Sequence, residues 1–164
     1  MAYDGYLQLD GIKGDATDSK HKDWIAISAF SQGIAQPMGG AAIAHGGHAS
    51  GRADFSDITF SKRLDLASPM LALHCVEGKN ITKATMELCR PAGDKKVFLK
   101  ITMENMIVSS IQSTGASHGD DPVPVETISL RFQKIQWEYT PIDEKNTAGA
   151  SVKSGWDLKE WKKV

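Results

Sequence analysis

The residues best suited to chemistry stand in four short groups. His45 and His48 lie three apart in the segment AAIAHGGHAS. Two imidazoles at that spacing could share a metal on a fixed scaffold, but no third ligand stands nearby, so solvated loop histidines are the expected reading. His74 precedes Cys75, the residue types of a thiol–imidazole pair. Neighbouring helix positions point about 100° apart, and Cys75 is expected to pack in a core instead. Asp120 and Asp121 fall in the turn GDDP, which suits turn chemistry better than paired acid–base work. Gly39–Gly40 and Gly46–Gly47 do not follow a strand with a phosphate-loop pattern. Neither a catalytic constellation nor a metal or cofactor motif emerges.

The one convincing helix is predicted over about 69–77. Ser68 is placed to cap it, Pro69 brings a pre-set φ at the first turn, and Gly78 supplies a left-handed stop beside Lys79. Met70, Leu71, Leu73 and His74 recur at helical spacing within it. All around it reads as strand: Tyr3–Leu9, Trp24–Ala35, Phe55–Phe60 and Thr82–Arg90, where Ala84, Met86 and Leu88 oppose Lys83, Thr85 and Glu87. In the longest strand Val97, Leu99, Ile101, Met103, Ile107 and Ile111 share one parity, with interruptions at Asn105 and Ser109. In the next, apolar residues move from even positions (Ile128, Leu130, Phe132) to odd ones (Ile135, Trp137, Tyr139). Such a slip near Gln133 implies a bulge or a change of buried face, common where a sheet curls. The tail GWDLKEWKKV fits a strand with Trp156 and Leu158 inward, or a short helix.

With 164 residues the chain is expected to form one domain, 1–164, with a single core. Nineteen basic and twenty acidic residues leave no charge excess to nominate a nucleic acid or an acidic membrane surface. No segment reaches the ~20 apolar residues of a membrane span, and the N-terminus MAYDGYLQLDG lacks a signal-peptide apolar run. A soluble cytoplasmic protein is expected. Cys75 and Cys89 are too few for a disulfide framework and are read as buried thiols. Between strands, PMGGAAIAHGGHASGR (37–52) holds five glycines and four alanines, a long loop with little apolar bulk to fix it.

Taken in order, MAYDGYLQLDGIKGD, WIAISAFSQG, the Gly-rich loop, DITFSKRLDLASPML, LKITMENMIVSSIQSTG, ETISLRFQKIQWEYTP and the closing GW resemble the haemolysin-coregulated protein, Hcp, family of the bacterial type VI secretion system. The likeness covers essentially the whole chain, and F-x-K-x-x-D-x-x-S-P-x-L from Phe60 to Leu71 is its most specific part. It implies a mainly β fold, a compact β-barrel of two sheets with a flanking helix, assembling into six-membered rings that stack into a tube inside a contractile sheath. It also implies a protein that is cytoplasmic and then exported to the outside or to a target cell without a cleaved signal, with sheath and spike-tip proteins and lumen-carried effector proteins as partners. It implies no cofactor, no nucleic acid and no membrane insertion. Carried over, Met38, Gly39, Gly40, Ile43, His45, Gly46, Gly47 and His48 belong to a loop that reaches the neighbouring ring, and Ser28, Ser31 and Gln32 lie on a strand near the channel wall.

The alternatives are a monomeric β-barrel module for a small molecule or carbohydrate, a phage-tail tube subunit, and a small hydrolase using Cys75 or Cys89. A binding module needs convergent aromatic and polar residues. Trp24, Trp137, Trp156 and Trp161 are dispersed through the chain, which disfavours it.

Overall fold

The computed structural model describes residues 3–37, 51–119 and 121–164. In chain order these form β1 (Asp4–Leu9), β2 (Ile25–Ile27), β3 (Ala29–Ser31), β4 (Ile34–Ala35), β5 (Asp54–Phe55), β6 (Ile58–Arg63), α1 (Ser68–Glu77), β7 (Ile81–Cys89), β8 (Val97–Thr114), β9 (Val125–Tyr139), β10 (Val152–Asp157) and β11 (Lys162–Lys163). The mainly β architecture with one short flanking helix is the one expected from the sequence. The nine-stranded sheet runs β11-β10-β9-β8-β7-β1-β2, with β6 joining β9 to β3, while β4 and β5 make a separate ribbon. Its ladders do not close as one simple barrel circuit. The segment 25–31 bridges the two ends instead, pairing with β1 before Ser28 and with β6 after it.

Two long strands turn this sheet into layers. The edge of β9 that faces away from β8 is shared, its first half by β6 and its second by β10. The change of partner falls at Gln133, whose carbonyl accepts the Leu158 N–H at 2.8 Å. Opposite it on β8 stands Asn105, with φ +51°, flanked by the pairs Glu104↔Lys134 and Met106↔Phe132. Asn is among the few non-glycine residues that enter the left-handed region readily. One such residue reverses which side of the strand is buried. Ile101 and Met103 face the core before it, and Met106 and Val108 after it. The single parity predicted for this strand therefore fails between Asn105 and Ser109, where Ile107 is exposed, and returns at Ile111, which packs partly buried against the core. Ser109 marks a second irregularity, where pairing shifts from Val108↔Leu130 to Ser110↔Ser129. The released Ser109 hydroxyl donates to Asp57 Oδ2 at 2.6 Å, and Arg131 Nε donates to Asp57 Oδ1 at 3.0 Å.

The helix packs on β8 and buries Ser68, Leu71 and His74. Of the four residues at helical spacing, only Leu71 and His74 face inward; Met70 and Leu73 look outward. Gly78 stops the helix at φ +61°, its N–H donating to the Cys75 carbonyl and that of Lys79 to the His74 carbonyl. The cap differs from expectation: Ala67 occupies it and Ser68 is helical. The Ser68 hydroxyl is engaged elsewhere, with Lys62, Asp65 and Glu126.

Lys62 is wholly buried, and its ammonium must find oxygens or remain an uncompensated charge. Nζ meets Asp65 Oδ1 at 2.5 Å, Glu126 Oε2 at 2.7 Å, Ser68 Oγ at 2.8 Å and the Arg63 carbonyl at 3.0 Å. Ser68 Oγ in turn donates to Glu126 Oε2 at 2.6 Å, and Ser113 Oγ to Glu126 Oε1 at 3.1 Å. Burial alone would raise the Glu126 carboxyl, but the hydrogen bonds from Lys62 and Ser68 overcome it and hold it below its ordinary range. The segment from Phe60 to Leu71 is thus a folding device: Phe60 and Leu71 fill the core, and Lys62, Asp65 and Ser68 tie β6, α1, β8 and β9 together.

Candidate functional site

The outer face of β7, β8, β9 and β10 carries cross-strand rows of polar residues. One row reads Lys83, Glu104, Lys134, Asp157; the next Thr85, Thr102, Gln136, Gly155; the third Glu87, Lys100, Glu138, Lys153. Ala84, Met86, Ile101, Met103 and Ile135 project to the other side of the same strands, into the core. Opposite charges directly across a ladder attract and like charges are avoided, so alternation keeps this face paired and nearly neutral. Three pairs close as salt bridges: Lys134–Glu104 at 3.2 Å, Lys100–Glu87 at 3.1 Å and Lys153–Glu138 at 3.2 Å. Gly155 belongs to the close approach of β10 to β9, since a Cβ there would stand 2.8 Å from the Ile135 carbonyl oxygen. The result is a hydrated sheet wall four strands wide. It has no nucleophile, no unpaired acid–base couple and no apolar patch to retain a ligand.

One border of the wall is closed by the loop after β1. His21 is buried, stacked on Tyr6 with ring centroids 4.2 Å apart, with Nδ1 2.8 Å from Asp18 Oδ2 and Nε2 3.0 Å from Glu87 Oε2. Lys95 adds a contact to Asp18 at 2.8 Å and one to Asp4 at 3.2 Å. The Lys95 and His21 hydrogen bonds hold the Asp18 carboxyl well below the ordinary carboxylate range. A sealed imidazole between two carboxylates fastens this loop to β7 and is out of reach of a substrate. Nothing in the local sequence DATDSKHKDW marked His21; its partner Glu87 comes from 66 residues away.

Of the expected channel residues, Ser28 and Ser31 are exposed and Gln32 is half-buried. Ser28 follows Ala26 on the side that continues the polar wall, and its hydroxyl donates to the Ser61 carbonyl at 3.1 Å. Gln32 is turned away, accepting the Trp137 Nε1–H at 3.0 Å. The expected stacking residues Met38, Gly39, Gly40, Ile43, His45, Gly46, Gly47 and His48 lie outside the described residues. Among the described residues no three His, Cys, Asp or Glu side chains are grouped to hold a metal, and no helix is long and apolar enough to cross a membrane.

The tryptophans correct the sequence reading. Trp156 and Trp161 meet edge to face at 5.6 Å, Phe55 approaches Trp161 at 6.4 Å and Arg52 lies over it at 4.9 Å. With Trp137 they line a hollow of about 490 Å³ that also takes in Gln36 and Gly51, at the base of the Gly-rich loop. Spacing in the chain hid this, because β5, β9, β10 and the turn before β11 converge only through the ladders. Cys89 is buried, and burial together with the nearby Glu87 and Asp18 carboxylates pushes its thiol up to about 11. Such a thiol is protonated and inert at neutral pH.

The match that decides the family covers residues 6–139, to a model described as type VI secretion system effector, Hcp. The chain belongs to the Hcp family. Protein hcp1 of Pseudomonas aeruginosa is 32% identical over 162 residues, 98% of each chain. A solved structure of a type six secretion system protein superposes with a TM-score of 0.90 at 35% identity, over 99% of this chain and 100% of the other. Hcp1 from Salmonella typhimurium gives 0.82 at 28% identity with full coverage of both. The family assignment makes this chain a structural tube protein of type VI secretion, a family that self-assembles and is exported.

Proposed function

We propose that this Hcp protein forms six-membered rings that stack into the inner tube of the type VI apparatus, with the β7–β8–β9–β10 face lining the channel. The observation that carries the assignment is the polar wall itself. A conduit needs a surface that stays wet and does not trap what passes, and paired charges alternating with Thr and Gln meet both needs. Its near-neutral balance suits protein cargo of varied charge, so effector proteins can travel in the lumen and leave it.

The single domain of 1–164 is made in the cytoplasm, assembles within the sheath below the spike tip, and leaves the cell with the tube. The Gly-rich loop, 37–52, reaches the next ring; its permissive backbone adapts to a neighbour at an ordering cost of roughly 1–2 kcal/mol per residue. Removing residues 39–47 is expected to leave rings intact and weaken stacking.

Gold coupled through a maleimide to a Gln136→Cys variant that also carries Cys75→Ser, because Cys75 is only partly buried, tests the wall. Gln136 is exposed on β9, so gold is expected in the central hole of rings seen by electron microscopy. Gold on the outer rim would place the channel elsewhere. The monomeric binding-module reading would use the aromatic hollow beside Trp161; family membership argues against it.

A further inference from the structure

The polar wall does not account for the aromatic hollow at the base of the Gly-rich loop. Four elements converge on it: β5 brings Phe55, β9 Trp137, β10 Trp156, and the turn before β11 Trp161. Its volume of about 490 Å³ falls within the roughly 300–1,000 Å³ of sites for small organic molecules. The rings of Trp156 and Phe55 stand nearly perpendicular to that of Trp161, at 83° and 86°, so they form walls at right angles rather than a closed stack.

Two of these rings are held in place. The Trp137 Nε1–H is fixed on Gln32 Oε1 at 3.0 Å. Trp161 stands at φ +53°, a region that a bulky side chain enters only at a cost and where a turn built for stability alone takes Gly or Asn. Backbone strain of this kind collects at ligand sites.

Charge at the hollow has one sign. Arg52 and Lys163 line it, and among the described residues no Asp or Glu does. Both are exposed, and neither has a carboxylate partner among the described residues. On the neighbouring wall, by contrast, Lys100, Lys134 and Lys153 each meet a glutamate. The Arg52 guanidinium lies over the Trp161 ring, 4.9 Å from its centroid. Stacking of this kind leaves the N–H edge of a guanidinium available for the two-pronged contact a carboxylate makes.

We infer that the hollow binds a small aromatic carboxylate, its ring among Phe55, Trp137, Trp156 and Trp161 and its charge on Arg52 and Lys163. A cationic ligand would meet two like charges, with Arg52 already on the Trp161 face, and a neutral ring would leave both positive groups unanswered. The site belongs to the folded subunit and does not depend on ring formation.

Calorimetric titration of the full chain with 2-naphthoate, 2-naphthamide and 2-naphthylmethylammonium tests this. The carboxylate is expected to bind about tenfold tighter than the amide, and the ammonium most weakly. Arg52→Gln combined with Lys163→Gln, at exposed positions, should keep the circular dichroism of the parent and bring the carboxylate down to the level of the amide, whose binding is unchanged. Lys22→Gln combined with Lys79→Gln, which removes the same charge elsewhere on the surface, should leave the preference intact. Failure of all three probes to bind, equal affinity for carboxylate and amide, tighter binding of the ammonium, or an equal loss in the Lys22 and Lys79 variant would overturn the assignment. So would binding seen only after residues 39–47 are deleted, which would give the hollow to that segment of the chain itself. Native mass measured on the same samples reports ring formation separately, so failure of the ring reading and failure of the site are told apart.

Discussion

Lys62 Nζ lies 2.7 Å from Glu126 Oε2, both side chains sealed from solvent, and the pair joins β6 to β9 at the point where α1 begins. Removing one partner of a buried pair strands the other charge. Lys62→Met, which leaves Glu126 and Asp65 facing each other, is expected to cost ~3–5 kcal/mol in denaturant unfolding. Lys62→Met combined with Glu126→Leu should recover part of that loss, since Asp65 then remains as the one carboxylate without its ammonium, still accepting the Ala67 N–H. Equal losses in the single and double variants would show that the network stabilises through something other than charge pairing.

Acid should weaken the fold. Glu126 and Asp57 have carboxyls held below their ordinary values: burial raises each, but the Lys62 and Ser68 hydrogen bonds outweigh it at Glu126, and those of Ser109 and Arg131 outweigh it at Asp57. At a pH between the folded and unfolded values, the unfolded chain binds more protons than the folded one. Stability therefore rises with pH through that window and is level above the ordinary carboxylate range of about 4. Melting temperatures should be constant from pH 6 to 8 and fall progressively below about pH 4. A stability maximum below pH 4 would contradict this sign.

The bend at Asn105 depends on a backbone few residues tolerate. Asn105→Val puts a β-branched side chain at φ +51° and is expected to cost about 1–2 kcal/mol, whereas Asn105→Gly stays within about 0.5 kcal/mol of the parent. Equilibrium urea unfolding of the two variants checks the contrast. Equal stabilities would mean that the reversal of the buried face does not hang on this residue.

Much of this fold was legible, and what was missed has one cause. Gly78, Pro69 and the apolar run located the helix because capping chemistry is local. The slip near Gln133 was readable because burial on β9 changes parity there. Its counterpart on β8 was read only as an interruption, since the reversal at Asn105 needs a left-handed φ that the residue type permits but does not require. Lys62, Asp65 and Ser68 were recognised as a motif, yet their purpose depends on Glu126, 64 positions after Lys62 and on another strand. The polar wall is a property of cross-strand rows. Lys83, Thr85 and Glu87 alternate visibly in β7, but that Glu104 and Lys134 stand beside Lys83 appears only once register is known. The same holds for the aromatic hollow of Trp137, Trp156 and Trp161.

The two faces of α1 should respond in opposite ways to a charge. Leu71 is fully buried and Leu73 is not. Leu71→Asp places an unpaired carboxylate in the core and should cost several kcal/mol, enough to abolish cooperative melting. Leu73→Asp should keep the folded monomer's circular dichroism. A well-folded Leu71→Asp protein would contradict the packing of α1 on β8.

Closure of this chain into rings is tested most directly by the native mass of the purified protein, from light scattering on a sizing column, with electron micrographs of the peak. A particle of about six chain masses with a central hole is the expected result. A monodisperse single chain at every concentration, with no hole in any particle, would contradict it.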